Sequence, residues 1–263
     1  MVVRAEVARF LGRADGAADS RELVEEYLRI LATLGDAEVQ KLLLKDLVGR
    51  VVELERKVDG LLSNTLPRAV AERIKTEGAW PATLCDCTIL CSDLSGYTRI
   101  AEHMDPRELT GLLHRLFSQF DELMTLHHGT KIKTIGDAYM AAFGTPEPVD
   151  GHAAHALRAG LAMQAAVTQF NRDHGIAFGM RIGIHTGPLV AAVVGRDRMQ
   201  FDVFGDSVNV ASRFESTGAV GRVSLSDATR LAAGDGFLFE DRGAVELKNR
   251  GAMAAYFLIG ERQ

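Results

Sequence analysis

The decapeptide Lys131-Ile-Lys-Thr-Ile-Gly-Asp-Ala-Tyr-Met140 constrains the fold more than any other stretch. Before Gly136, apolar Ile132 and Ile135 stand among cationic Lys131 and Lys133, and a second apolar run follows over 138–143. Gly136 and Asp137 separate the two runs. Both tolerate the backbone angles of a two-residue turn, so the stretch reads as a tight β-hairpin. The turn lifts one carboxylate, Asp137, to a strand tip, with Lys133 close behind it on the same rigid element. A carboxylate and a cation held this way suit a metal–phosphate ligand. The same residues also describe a solvated hairpin with an ordinary turn aspartate, and partners elsewhere in the chain must decide.

Around the hairpin the order is strand, helix, hairpin, helix, antiparallel pair. Residues 84–91, rich in Thr, Ile, Leu and Cys, read as a strand ending at Ser92-Asp93. Asp105-Pro106 opens a long helix through Leu109, Leu112, Leu113, Leu116, Phe117, Phe120, Leu123 and Met124. A second helix is expected over 150–174, with Ala156, Leu157, Leu161, Val167 and Phe170 on its apolar side. Residues 178–185 alternate as a strand, Gly187-Pro188 reads as a turn, and 189–194 as the returning strand. A helix is expected from Gly205-Asp206 to about Thr217, then a strand over 222–225, a short helix from Ser226, and strands near 237–240, 245–247 and 255–259. This order gives an α+β fold, ferredoxin-like βαββαβ, with helices covering a mostly antiparallel sheet. The domain is expected over 81–263.

The first 80 residues have a different pattern. Residues 1–43 read as short helices, with Val7, Phe10 and Leu11 in one and Leu23, Tyr27, Leu28, Ile30, Leu31 and Leu34 in the next. Residues 44–80 read as a coiled coil and linker: from Leu44 to Leu61 the spacing is a heptad seam, with Leu44, Val51 and Val58 at a and Leu47, Leu54 and Leu61 at d. Val at a with Leu at d favours a parallel two-stranded coiled coil, and Arg50 at g faces Glu55 at the following e. An amphipathic helix packed on its own domain has the same pattern. Pro67 is expected in the first turn of a further helix that stops near Gly78, and Trp80-Pro81 reads as a linker.

A net charge of −5 lacks the basic face of a general nucleic-acid binder, though it leaves room for a small anionic ligand. The three cysteines, Cys85, Cys87 and Cys91, are odd in number and share one strand. They form no disulfide framework, read as small buried residues, and imply a reducing cytoplasm. No apolar run approaches the roughly 18 residues a membrane helix needs. Met1-Val-Val-Arg-Ala-Glu has an early acidic residue and no long apolar core, so no secretory signal is expected.

The chemistry gathers at Asp93, which ends the first strand before Leu94-Ser-Gly-Tyr-Thr98. Gly96 supplies a turn, and the helix opening at Tyr97 can aim free N–H groups at an anion. In a βαββ arrangement the end of the first strand and the hairpin turn meet at one sheet edge, so Asp93 and Asp137 converge. Two carboxylates beside an anion-binding turn make a Mg²⁺ site for a polyphosphate; either alone is more often a cap or turn residue.

Four ordered motifs now stand out: Cys-Ser-Asp-Leu-Ser-Gly-Tyr-Thr (91–98), the hairpin (131–140), Arg-Ile-Gly-Ile-His-Thr-Gly (181–187) and Phe-Asp-Val-Phe-Gly-Asp-Ser-Val-Asn-Val-Ala-Ser-Arg (201–213). Together they resemble the catalytic domain of class III nucleotidyl cyclases over roughly 85–260. The resemblance implies that Asp93 and Asp137, with the Leu94 carbonyl, hold two Mg²⁺ or Mn²⁺ ions, and that Lys133 and Asp202 read the purine. A lysine donates to adenine N1 and an aspartate accepts from the N6 amino group. Guanylyl cyclases of the family usually carry Glu and Cys there, so ATP is expected over GTP. The resemblance further implies that Asn209 positions the ribose, that Arg213 neutralises the reacting phosphate, that Lys248 binds the terminal phosphates, and that Arg181 assists from the metal side. Gly96 and Tyr97 fall at the triphosphate turn. In this family the metal pair and the purine readers of one site come from opposite protomers, which implies a head-to-tail homodimer. His152, His155 and His185 have no role in that scheme. A guanylate cyclase and a catalytically silent nucleotide-binding module are the alternative readings. The regulatory input, whether an upstream domain, a small molecule or a partner on the first helices, is left open.

Overall fold

The computed structural model describes Glu25, Leu28, Arg29 and Ala32, all helical, and residues 37–262 apart from 64, 197, 248 and 249. The remaining expectations for 1–36 lie outside the described residues. The chain falls into two compact units divided between 64 and 65.

In the first unit, helix α1 (Ala37–Ser63) carries the heptad pattern. Leu44, Val51, Leu54 and Val58 of the seam are exposed, and Leu47 is half-buried. Arg50, expected to face Glu55, donates to Asp46 one turn earlier in its own helix at 2.8 Å. No described helix is long and apolar enough to cross a membrane.

The second unit opens with α2 (Arg68–Glu77), which ends at Gly78 in the left-handed region. Pro67 is the residue before the helix, where its missing N–H costs nothing, and not part of its first turn. Trp80 packs edge-on to Phe201 with 6.2 Å between ring centroids. There follow β1 (Thr83–Ser95), the short α3 (Tyr97–Ala101), α4 (Pro106–Leu126), β2 (Gly129–Ile135), β3 (Ala138–Phe143), α5 (His152–His174), β4 (Gly179–Val194), β5 (Gln200–Phe204), α6 (Asp206–Ser216), β6 (Val223–Ser226), α7 (Asp227–Ala233), β7 (Phe237–Leu247) and β8 (Gly251–Glu261). The strands form one sheet in the order β2-β3-β1-β4-β6-β8-β7, with β5 also paired to β4. Its first four strands have the ferredoxin-like arrangement, and among the described residues only β4 and β6 run parallel.

Local signals made the elements. Asp105 caps α4, its carboxylate accepting from the N–H groups of Arg107 and Glu108, and Pro106 starts the helix. Leu109, Leu112, Leu116, Phe120 and Met124 then line one stripe of α4, at steps of three and four, and are buried. They share a core with Leu157, Met163, Val167 and Phe170 of α5 and with Leu90, Ile182 and Ile184 of the sheet.

Three expectations for the strands change. Gly187 and Pro188 do not turn: they pair with Cys87 and Asp86 inside a continuous β4. The thirteen-residue β1 offers a ladder along this whole stretch, and that long-range pairing overrides a local turn signal. The strands expected near 237–240 and 245–247 are one strand, β7, irregular between Asp241 and Gly243. In the hairpin, the ladder slips between Lys131 and Lys133, so Ile132 stands as an extra residue against β3. That bulge explains why Ile132 is buried and Ile135, at the tip, is exposed.

The opposite face of the sheet receives α6, and one glycine makes this possible. A side chain at Gly183 would meet the Glu215 nitrogen at 2.0 Å and the Ala211 oxygen at 2.4 Å, so the α6 backbone lies directly on β4. Gly183→Ala is expected to destabilise the protein by about 1–3 kcal/mol, since backbone rather than a pliable side chain must move. Thermal melting checks this, and an unchanged midpoint would contradict the contact.

Histidine and hydroxyl groups inside the sheet satisfy one another. His152 Nδ1 lies 2.8 Å from Thr88 Oγ1, which lies 2.7 Å from Thr186 Oγ1. Thr186 donates to Thr229, and His185 Nδ1 lies 2.7 Å from Ser226 Oγ, the cap of α7. His155 stacks edge-on with His128. Cys87 and Cys91 are buried as expected, whereas Cys85 is half-exposed.

Candidate active site

Asp93 and Asp137 come together as the strand order requires. β1 pairs with β3 through Ser92↔Tyr139, one step before Asp93, and the β2–β3 turn consists of Gly136, in the left-handed region, and Asp137. Burial raises the Asp137 carboxyl above the usual range. A backbone hydrogen bond opposes the rise, and the charge of Asp93 adds to it. Two hard carboxylates whose ionised forms repel each other are relieved by a divalent cation with oxygen ligands, so the donor set fits Mg²⁺ or Mn²⁺. Leu94 follows Asp93 on β1, its side chain buried and its backbone in register with Met180.

Arg181 is the cross-strand neighbour of Asp93. Its Nη2 donates to Asp93 Oδ2 at 2.7 Å and its Nε to Glu215 Oε1 at 2.9 Å. Alternation along β4 explains the placement: Ile182 and Ile184 enter the core, while Arg181 and Gly183 face α6. Glu215 was not identified from sequence. Burial raises its carboxyl, and the bond from Arg181 pulls it back down.

Lys133 Nζ donates to Asp202 Oδ2 at 2.5 Å, and Val203 N–H donates to Asp202 Oδ1 at 2.8 Å. The bulge at Ile132 directs Lys133, and β5, an element sequence reasoning missed, directs Asp202. Lys133 lines a small cleft with Cys91, Ser92, Ile135, Met140, Ser212 and Glu215. Gly96, in the left-handed region, precedes α3, and Tyr97 is half-buried at its start. Burial lowers His185 to about 4, so it is uncharged at neutral pH.

Asn209 and Arg213 lie four apart on α6, Asn209 exposed and Arg213 half-buried. Among the described residues neither side chain hydrogen-bonds to Asp93, Asp137, Lys133 or Asp202. One chain thus assembles a carboxylate pair and a lysine–aspartate pair, and Asn209 and Arg213 join neither. Lys248 lies outside the described residues.

The profile described as "Adenylate and Guanylate cyclase catalytic domain" matches residues 81–260. An adenylate cyclase of Mycobacterium tuberculosis is 37% identical over 81% of this chain and 48% of its own length. The guanylate cyclase soluble subunit beta-2 of Rattus norvegicus is 40% identical over 78% of this chain and 30% of its own length. The chain therefore spans half or less of the curated relatives it matches. The crystal structure of the adenylyl cyclase CyaB from P. aeruginosa is similar with a TM-score of 0.67 and 27% identity, over 70% of this chain and 98% of that one. With the fold, the convergent aspartates and these similarities in agreement, the chain belongs to the adenylate and guanylate cyclase catalytic domain family.

Proposed function

We propose that the protein is an adenylate cyclase, converting ATP to 3′,5′-cyclic AMP and pyrophosphate at sites shared between two copies of the chain. The Lys133–Asp202 pair carries the choice of nucleotide. A lysine offers only donors and a carboxylate only acceptors. Adenine presents an acceptor at N1 beside a donor at N6, which complements the pair. Guanine presents the reverse pattern and would set donor against donor and acceptor against acceptor.

In the proposed reaction the ribose 3′-hydroxyl attacks the α-phosphorus in line, and the bond to the bridging oxygen of pyrophosphate breaks. Asp93, Asp137 and the Leu94 carbonyl would hold two divalent cations per site. Such cations supply a lowered hydroxyl pKa and screening of phosphate charge. Asn209 orients the ribose, and Arg213 places preorganised positive charge on the reacting phosphate. Arg181 and Lys248 hold the terminal phosphates, with the Gly96-Tyr97 turn behind them. The outward placement of Asn209 and Arg213 supports a head-to-tail pair in which α6 of one copy completes the site of the other. The exposed seam of α1 supports a parallel coiled coil holding the pair together. A nucleoside triphosphate substrate and three free cysteines suit a reducing cytoplasm.

A guanylate cyclase is the second reading, favoured by the identity to the rat subunit. Product analysis after incubation with ATP or GTP and Mg²⁺ or Mn²⁺ tests both, with cyclic AMP expected to dominate. Lys133→Glu with Asp202→Cys is expected to shift the kcat/KM ratio toward GTP at least about tenfold. A wild-type protein that forms cyclic GMP faster at equal nucleotide overturns the choice.

A further inference from the structure

Arg181 stands between carboxylates from two parts of the machinery. Asp93 belongs to the metal side of the site. Glu215 belongs to α6, the helix that carries Asn209 and Arg213. The Glu215 side chain is 11% exposed, against 28% for Asp93. It continues the row Ser207-Ala211 along the buried side of α6, at steps of four, and is the one ionisable residue among those buried on that helix. A carboxylate so placed is costly unless paired, and Gly183 is bare of a side chain at the point where α6 brings it in.

Resting on the cyclase reading above, we propose that Glu215 is the positioning residue for Arg181, gripping its Nε so that the far edge of the guanidinium can leave Asp93 and take the triphosphate. An arginine has five N–H donors. One is committed to Glu215 and one to Asp93, which leaves three for phosphate oxygens. When Asp93 binds cations instead, a guanidinium beside it is repelled, and an arginine anchored only there would swing into solvent. The anchor on Glu215 keeps the side chain in place and sets a compensating negative charge on its side away from Asp93. The same contact ties α6 to Asp93 of its own chain while the outer side of α6 serves the other copy's site.

The test is a double-mutant cycle on the full chain, read by calorimetric binding of a non-cyclisable α,β-methylene analogue of ATP with Mn²⁺, together with melting temperature and steady-state kinetics. Glu215→Ala is expected to weaken analogue binding about tenfold and raise KM similarly, with kcat reduced less than about threefold. Glu215→Gln keeps an acceptor for Nε and is expected to stay within about threefold of wild type. Arg181→Ala is expected to weaken binding at least about tenfold, and adding Glu215→Ala to it should cost less than a further twofold or so. If Arg181→Ala binds the analogue as wild type does, the reading of Arg181 as a triphosphate ligand fails, and this proposal with it. If Arg181→Ala weakens binding but Glu215→Ala does not, or if Glu215→Ala costs as much without Arg181 as with it, this proposal alone is overturned. Glu215→Met, of similar volume, and Arg181→Gln replace any alanine variant that does not fold.

Discussion

Asp93→Ala stops cyclic-nucleotide formation and leaves the fold standing. The expected loss in kcat/KM is at least about 10³-fold, the equivalent of several kcal/mol of charge stabilisation at the reacting phosphate. Two effects add. The carboxylate pair becomes a single carboxylate, too few ligands to fix two cations, and the charge that holds those cations beside the reacting phosphate is halved. Stability should change little, because the Asp93–Arg181 pair is partly exposed and such pairs contribute about 0–1 kcal/mol. Arg181 keeps Glu215, and Asp137 loses a repelling neighbour. The measurement is cyclic-nucleotide formation beside a melting curve. A melting midpoint near wild type with turnover reduced less than tenfold would remove Asp93 from the chemistry.

How much of this was legible in the sequence depended on the range of the interaction responsible. The hairpin, the capped start of α4 and the end of α2 at Gly78 rest on a few consecutive residues, and sequence reasoning placed them. Gly187-Pro188 carries a strong local turn signal, yet the pairing of β1 with β4 absorbs it into a strand. The meeting of Asp93 and Asp137 was readable because strand order alone determines it. The grip of Glu215 on Arg181 was not, since it spans 34 residues and depends on how closely α6 approaches β4. A signal was nonetheless present: Ser207, Ala211 and Glu215 form an i, i+4 row beside Val210 and Phe214, and a carboxylate on a helix side otherwise free of charge asks for a partner. Arg181 faces the same side of β4 as Gly183, the residue that lets the helix in.

The architecture also bears on the proposal that each site is shared between two copies of the chain. β1, β3 and β4 gather Asp93, Asp137 and Arg181 at the end of the sheet, where the ladder rigidly sets their spacing. Lys133 and Asp202 meet within the same chain, so the pair proposed to read the purine needs no second copy to form. Asn209 and Arg213 are the exception, exposed and half-buried on α6 and, among the described residues, hydrogen-bonded to none of these groups. The inner side of α6 is occupied by its packing against β4, which leaves its outer side for the role in the other copy proposed above.

Mixing two inactive variants makes this division measurable. Asp93→Ala leaves the α6 contribution intact, and Arg213→Ala leaves the carboxylate pair intact. In a mixed dimer one site combines both defects, and the other combines an intact metal side with an intact α6. Random pairing of equal amounts makes half the dimers mixed, each with one good site of two, so about a quarter of wild-type activity is expected from two proteins that are each nearly silent. The variants should be unfolded and refolded together, or co-expressed, so that copies exchange. Deleting 1–43 should leave the result unchanged, whereas replacing Leu47, Val51, Leu54 and Val58 with lysine should reduce the recovered activity at low protein concentration by weakening the pair. Recovery no greater than the sum of the two variants assayed separately, under conditions where exchange is shown by mixed-tag capture, would mean that each chain builds its site alone.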